Sequence, residues 1–474
     1  MSKERWHSNA TYARGASVRP ASRTALMLPL HMKKTDYLIV GNSAAAIAGV
    51  EGIRSHDQKG PLLLVSDEPY HTYSRPLIGD YLSGKRSFSQ MMYRPRDFYA
   101  RSGVEALLGR KILHVEPEEH SAILDDNSTV RFRKALISTG GKPFSPSFNG
   151  KDLPGIFYFT TLDDAKAIRT FVRKGQRACI LGGGLIALKA AEALLTIGVR
   201  VTIVELADRI LSTALDKKAS KIASSLLRKM GVEIRTSDTV IEAVGGNGML
   251  LGVNLKSGLN LHADLLVIAT GVLPSASIVD STSISIGKGI VIDERCRTTS
   301  EAVFAAGDVS EGKDALLGTK RPIPIWPSAY LQGYAAGCNM AGRERSVKGA
   351  MAMNSFEIGG TAFMSIGLPD GPALPAGRSP SAGVGLSAVE GTCMLERCSF
   401  KENRYRKMVL AGRKLVGAVL VGSVERAGIL TRLIRDGIDI WTSRRALLKE
   451  DFGFSSLPLA LRREILDEKR HTEN

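Results

Sequence analysis

Gly182, Gly184 and Ala187 form a G-x-G-x-x-A array directly after the apolar run Ala178-Cys179-Ile180-Leu181. Glycines there let backbone N–H groups approach a ligand with no Cβ between them, and a helix N-terminus adds partial positive charge. A pyrophosphate is the chemistry that needs both. Glu205 follows 23 residues after Gly182, the spacing at which a carboxylate ends the next strand and accepts from both hydroxyls of a ribose. That carboxylate would repel a 2′-phosphate. The pattern therefore favours NADH over NADPH, although Arg200 and Arg209 flank it.

An earlier copy of the array runs Gly41, Ser43, Ala46 after the apolar run Tyr37-Leu38-Ile39-Val40. Alanine at the third place only sets helix–strand packing. Serine at the second is a departure, because its side chain occupies the space where a phosphate would approach. The bland alternative is a plain helix-start turn.

Both arrays need a strand–turn–helix–strand unit to position them. Ala44 to Gly52 and Leu185 to Ile197 supply the helices, and Leu62-Leu63-Leu64-Val65 and Val199 to Val204 the second strands. Two further apolar strands run into Thr139-Gly140 and Thr270-Gly271. Val303 to Asp308 is another strand with a polar end, and a helix from Ser328 to Met340 follows it. Past about residue 350 the texture changes. Pro369 to Pro380 reads as a loop, Tyr405 to Val421 as a hairpin around Ala411-Gly412, and Glu425 to Ile440 as an amphipathic helix.

The bulk numbers set limits. A chain of 474 residues exceeds one core, so two to four domains are expected, and hydrophobic content of 44% is ordinary for globular proteins. No apolar run is long enough to span a membrane. Five scattered cysteines argue for a reducing compartment, hence the cytoplasm, and against a disulfide framework. The formal charge of +17 would steer acidic partners; a solvated surface that binds dianionic cofactors explains it equally well. No zinc spacing or RNA-binding signature supports nucleic acid. Residues 1–34 carry seven basic residues against Glu4 alone. They read as an extension outside the fold: an over-extended start ahead of Met32, a disordered tail, or an organelle transit peptide.

The doubled array resembles the FAD/NAD(P)-dependent pyridine nucleotide oxidoreductases over roughly residues 35 to 345. It is most similar to their rubredoxin reductase, ferredoxin reductase and nitrite-reductase-like branch. The segment Asp67-Glu68-Pro69-Tyr70 with Tyr73-Ser74-Arg75-Pro76-Leu77 carries that likeness. The resemblance implies an α/β fold of two Rossmann-like domains, one for FAD and one for NAD inserted into it, plus a C-terminal α+β interface domain. The boundaries expected are 35–155 with 282–349 for FAD, 156–281 for NAD, and 350–474 for the interface and dimerisation domain. By the same resemblance Asp67 or Glu68 takes the adenosine ribose of FAD, and Arg75-Pro76 lies against the isoalloxazine. Asp308 takes the ribitol chain, and the helix from Ser328 points at the pyrimidine edge. Thr139-Gly140 and Thr270-Gly271 become the crossovers between domains.

Three positions depart from the family's pattern. Tyr73 to Leu77 has no cysteine, so no redox disulfide can form there, and Cys393 and Cys398 are read as ordinary reduced thiols. Lys189 replaces an acid that faces the nicotinamide in relatives, unless it is simply a solvent-facing lysine. Leu273-Pro274-Ser275 replaces a basic-Pro-Asn sequence. Around the hairpin, Lys401, Arg404, Arg406, Lys407, Arg413 and Lys414 form either a solvated face or a docking surface for an acidic redox carrier. The implied activity is hydride transfer from NADH to FAD with electrons passed to a small rubredoxin- or ferredoxin-like carrier, with no obligatory side-chain acid or base. The alternatives are a slow redox sensor or scaffold, an NADH oxidase, and a component of a nitrite-reductase-like system.

Overall fold

The computed structural model describes residues 32–371 and 391–463. Expectations for residues 1–31, for most of the loop through Pro380 and for the end of the chain fall outside these.

The first unit comprises β1 (Lys33–Val40), α1 (Ala44–Arg54), β2 (Leu62–Ser66), α2 (Ile78–Leu82), α3 (Phe98–Arg101), β3 (Val104–Leu108), β4 (Ile112–Glu116), β5 (Ser121–Leu124) and β6 (Thr129–Ile137). The strands order β3-β2-β1-β6, all parallel, and their buried Leu/Ile/Val runs are those of a sheet covered on both faces. β1 starts at Lys33, inside the segment set apart from the fold by sequence. Lys33, Lys34 and Thr35 pair with Val130, Arg131 and Phe132, and this edge of the ladder has no apolar signature to reveal it.

The chain leaves through β7 (Gly141–Pro143) and builds a second unit: β8 (Ile156–Tyr158), α4 (Leu162–Phe171), β9 (Arg177–Leu181), α5 (Leu185–Thr196), β10 (Arg200–Glu205), α6 (Lys217–Lys229), β11 (Glu233–Thr236), β12 (Val240–Gly246), β13 (Met249–Leu255), β14 (Asn260–His262) and β15 (Leu265–Ile268). Its parallel sheet runs β11-β10-β9-β15-β8, beside an antiparallel β12-β13-β14 meander. β16 (Val272–Pro274) returns antiparallel to β7. After β17 (Ile290–Val291), β18 (Val303–Ala305) lies along β6 in the first sheet. The second unit is thus an insertion in the first. β19 (Ser310–Lys313), β20 (Lys320–Arg321) and α7 (Trp326–Met340) follow. α7 begins two residues before Ser328, with Ile325 as its cap. It packs backbone to backbone on α1: a Cβ at Gly333 would lie 2.1 Å from the Ala45 carbonyl oxygen, and one at Gly52 would lie 2.3 Å from that of Tyr334.

The last unit is an antiparallel sheet, β21-β22-β25-β24-β23, from β21 (Met353–Ile358), β22 (Thr361–Gly367), β23 (Thr392–Ser399), β24 (Arg404–Ala411) and β25 (Lys414–Val421). Its side chains alternate with the pleat. Tyr405, Val419 and Val421 join the core of the second unit, while Met408, Leu410, Ala418 and Leu420 pack with Leu430, Leu433 and Ile434 of α8 (Ala427–Arg435). α8 is shorter than its amphipathic pattern suggests, because Gly437 at φ +64° turns the chain away.

Candidate dinucleotide sites

The two arrays adopt one backbone geometry. Gly41 (φ +121°) donates its N–H to Val65 O at 2.8 Å, and Gly182 (φ +111°) donates to Val204 O at 2.8 Å. An added Cβ would lie 2.3 Å from Ser138 O at Gly41 and 2.4 Å from Ala269 O at Gly182. Only glycine fits either place. Ser43 and Gly184 are the N-caps of α1 and α5, while Ala46 and Ala187 are fully buried where each helix meets its sheet. The first bonds within the helices run from Ile47 to Ser43 and from Leu188 to Gly184, each 3.0 Å. The preceding N–H groups of both helices therefore stay free to meet an anion.

Ser43 sits in its turn without backbone strain. Its φ of −114° suits any residue, and its hydroxyl makes no capping hydrogen bond. At the matching Gly184 a Cβ would meet no protein atom within 4 Å. The Ser43 hydroxyl, which caps no helix N–H, is left available to donate.

Sequence reasoning left Asp67 and Glu68 as equal candidates for a ribose. Their surroundings differ. Glu68 is engaged by an Arg75 ion pair and by the Tyr73 hydroxyl at 2.5 Å, whereas Asp67 is exposed and makes no hydrogen bond within the described residues. In the second unit Glu205 accepts from the N–H of Gly183 and, at 2.7 Å, from that of Ala207. Arg200 stands at the opposite end of β10 and does not flank the carboxylate as its sequence position implied; Arg209 is turned toward Asp208 and the carbonyls of Ser212 and Leu215. Among the described residues Glu205 forms no ion pair, and its carboxylate is held by backbone N–H groups.

Arg75 and the exposed Pro76 form a short 3-10 turn at the seam between the two units. The seam is made by residues 70–91: Tyr73, Ile78, Leu82 and Met91 pack with Leu162, Ile168, Ala190 and Leu194 of the second unit. The Tyr73 hydroxyl also accepts from Leu162 N–H at 3.0 Å. Burial resists the charge on Arg75, but Tyr73, Glu68 and Asp67 raise its pKa overall. The positive Arg75 also acts on Asp308, whose carboxyl is nonetheless raised because burial dominates. Asp308 accepts no hydrogen bond from described residues. Gly307 beside it donates to Gln332 Oε1 at 2.9 Å and packs on Ala45 and Ala329, so Asp308, the start of α1 and the start of α7 share one place. Ser328 is buried in the first turn of α7.

The crossovers mirror each other. Thr139 Oγ1 donates to Ser275 O at 2.8 Å, Thr270 Oγ1 donates to Phe144 O at 2.6 Å, and Gly140 and Gly271 both have positive φ. Lys189 is bound to Glu192 at 2.8 Å, one helical turn on. Cys393 and Cys398 are free, and their odd spacing on β23 places them on opposite faces of the sheet. Within the described residues no acidic, histidine and cysteine cluster could hold a metal, and no helix is long and apolar enough to cross a membrane.

The basic hairpin is corrected by the fold. Arg406 and Lys407 are 5% and 7% exposed, held by Leu447 O at 2.7 Å and Asp216 at 3.0 Å respectively. β24 is covered on both faces, so its charges turn inward. Arg404 and Arg413 are paired with Glu450 and Asp439. Lys401 and Lys414 remain exposed.

Sequence reasoning gave no role to Asn42, Tyr73, Tyr99 or Gln332. Asn42 donates to Tyr70 O at 3.0 Å and accepts from the Tyr99 hydroxyl at 2.7 Å, which walls the first turn. The tyrosines clustered between residues 70 and 99 were the available signal.

The family described as pyridine nucleotide-disulphide oxidoreductase matches residues 35–333. The chain is 31% identical to the NADH-dependent phenylglyoxylate dehydrogenase subunit epsilon of Aromatoleum evansii, over 92% of this chain and 98% of that one. It is 30% identical to the ferredoxin–NAD(+) reductase component of the anthranilate 1,2-dioxygenase system of Burkholderia cepacia, over 66% and 77%. It spans about half the length of the nitrate and nitrite reductase relatives that it also matches. The crystal structure of the covalent putidaredoxin reductase–putidaredoxin complex shares the fold, with a TM-score of 0.78, 22% identity and coverage of 88% of this chain and 96% of that one.

Proposed function

The chain belongs to the pyridine nucleotide-disulphide oxidoreductase family, and from that membership we propose that it is an FAD-dependent oxidoreductase taking hydride from NADH and passing electrons to a small redox carrier. The observation that carries this reading is the pair of like-built phosphate turns set on either side of one seam. Arg75 stands at that seam and acts on Asp308, which is half-buried and accepts no hydrogen bond from the described residues. The residues fit FAD: a glycine cradle that any Cβ would fill, free helix N–H groups, and a half-buried carboxylate without a donor among the described residues.

In this reading Gly41, Ser43 and Ala46 hold the FAD pyrophosphate, Asp67 its ribose and Asp308 its ribitol hydroxyls. Arg75 and Pro76 flank the ring, and the first turn of α7, with Ser328, faces its pyrimidine edge. Gly182, Gly184, Ala187 and Glu205 hold NADH, and Thr139-Gly140 and Thr270-Gly271 fix the angle between the two units. Bound FAD supplies an acceptor of hydride that releases electrons singly, chemistry that no side chain offers. The chain's own work is positioning. Tyr73 fixes Glu68, Glu68 fixes Arg75, and the helix dipole at α7 favours negative charge near its first turn. No side chain is assigned as acid or base, and no cysteine stands at Tyr73–Leu77 to form a disulfide.

The test is a visible spectrum of the purified protein before and after NADH. Flavin bands bleached within milliseconds in stopped flow are expected. A protein that stays colourless when supplied with FAD overturns the reading, and bleaching over minutes transfers it to a sensor. A second reading rests on the nearly end-to-end match to a dehydrogenase subunit: the chain delivers or collects electrons inside a larger assembly. The native mass of the complex isolated from its source decides between them. We place the enzyme in the cytoplasm, as a dimer through residues 350–474, with Lys401 and Lys414 as the cations left to meet an acidic carrier.

A further inference from the structure

Between Glu205 and α6 the chain makes a loop, residues 206–216, whose two ends are gripped by different parts of the molecule. Near its middle Leu211 is almost fully buried with φ +54°, a conformation that a bulky side chain keeps only when its surroundings impose it. Leu211 N–H donates to Gly183 O at 2.7 Å. Gly183 lies inside the second phosphate turn, and its N–H is held by Glu205. This strained residue therefore braces the turn from outside.

At its far end the loop is anchored by Asp216. One carboxylate oxygen caps α6, accepting from Ala219 N–H at 3.0 Å; the other accepts from the Tyr405 hydroxyl at 2.6 Å and faces Lys407 Nζ at 3.0 Å. Tyr405 and Lys407 stand two residues apart on one face of β24, in the C-terminal unit. Lys407 also lies 3.6 Å from Asp370, which approaches Arg209 of the same loop at 3.9 Å. Asp216, Tyr405 and Lys407 are all buried. The Tyr405 hydroxyl also reaches Glu396 at 3.1 Å, but Asp216 has Lys407 as its ion-pair partner and Tyr405 as its hydroxyl donor. Losing either weakens the hold on a buried carboxylate and lets the loop shift or admit water.

We propose that Tyr405 and Lys407 are positioning residues for the dinucleotide turn, acting through Asp216 and the braced loop on Gly183. The C-terminal sheet thereby sets the affinity of a site that it does not touch. The inference rests on reading residues 182–205 as the NADH site. The test titrates ADP-ribose, which carries the diphosphate and adenosine but no nicotinamide, into full-length FAD-loaded protein by calorimetry. Lys407→Met and Tyr405→Phe should each weaken ADP-ribose binding about three- to tenfold with unchanged flavin content. Asp216→Asn keeps the helix cap and should weaken it similarly. Lys407→Met combined with Asp216→Asn should be no worse than either alone, because both break one linkage. Unchanged affinity in Lys407→Met and Tyr405→Phe, whether or not the melting temperature falls, removes the inference alone. Wild-type protein that does not bind ADP-ribose, or a Glu205→Ala variant that binds it normally, removes the NADH reading and the inference with it.

Discussion

The two phosphate turns share backbone geometry to within a tenth of an ångström in their glycine contacts, yet their surroundings differ. Around Gly41 the chain adds walls: Asn42 is locked between Tyr70 and Tyr99, Arg75 is fixed by Glu68, and α7 packs backbone to backbone on α1. Around Gly182 there are Glu205, one braced loop and the short α2, whose Gly79 approaches the Lys189 carbonyl of α5; among the described residues no helix packs on α5 as closely as α7 does on α1. The same cradle suits a resident cofactor where it is enclosed and an exchanging one where it stays open, since residence time follows the contacts that must break on leaving.

The largest test of that contrast substitutes the equivalent glycines. Gly41→Ala and Gly182→Ala both force a Cβ onto a carbonyl oxygen at positive φ and should each cost about 3 kcal/mol of stability. Their spectra should differ: Gly41→Ala loses its flavin bands, whereas Gly182→Ala stays yellow and is reduced by NADH about a hundredfold more slowly. A colourless Gly182→Ala would erase the distinction between the sites.

A smaller effect is expected at the carboxylates. Glu205→Ala should raise KM for NADH about ten- to a hundredfold by removing charge-assisted bonds to the ribose, and narrow the preference over NADPH. Asp67→Ala should weaken FAD to a like degree in flavin-release titrations. Glu68→Gln should act mainly by loosening Arg75. Equal losses of FAD in the Asp67 and Glu68 variants would undo their separation. Ser43→Gly comes next, with FAD affinity lowered about tenfold, the worth of one hydrogen bond to a charged group at about 1.5 kcal/mol. Tighter FAD binding in that variant would mean that the hydroxyl obstructs.

The smallest effect concerns Asp308. Burial raises its pKa above the unfolded value of about 3.9. Its favourable contribution is therefore complete below that value and lost as pH rises through the folded pKa. In FAD-free protein Asp308→Asn should melt slightly above wild type near pH 8, with the gain shrinking as pH falls toward the ordinary aspartate range. The same variant should bind FAD more weakly. A gain that grows on acidification would contradict the cause assigned to the shift.

Much of this site was legible early because its demands are local. A glycine that must avoid a strand's carbonyl, an alanine under a helix and a carboxylate at a strand end are each fixed within a single βαβ unit, so spacing alone locates Gly41, Gly182, Ala46, Ala187 and Glu205. Asp67 and Glu68 could not be told apart, since only the approach of Tyr73 and Arg75 gives the two neighbours different surroundings. The hairpin cations misled for the same reason: alternation on β24 shows which residues share a face but not that both faces are covered.

Sequence by itself determined the repeated glycine cradle, the carboxylate that ends β10, and the lack of a cysteine beside Arg75, because each depends on residue type at short range. Tertiary structure alone decided that Asp308 lies beside the start of α1 and that Lys407 is buried against Asp216. Those facts depend on segments brought together from more than a hundred residues apart, and the chain's local chemistry carries no record of who its distant neighbours will be.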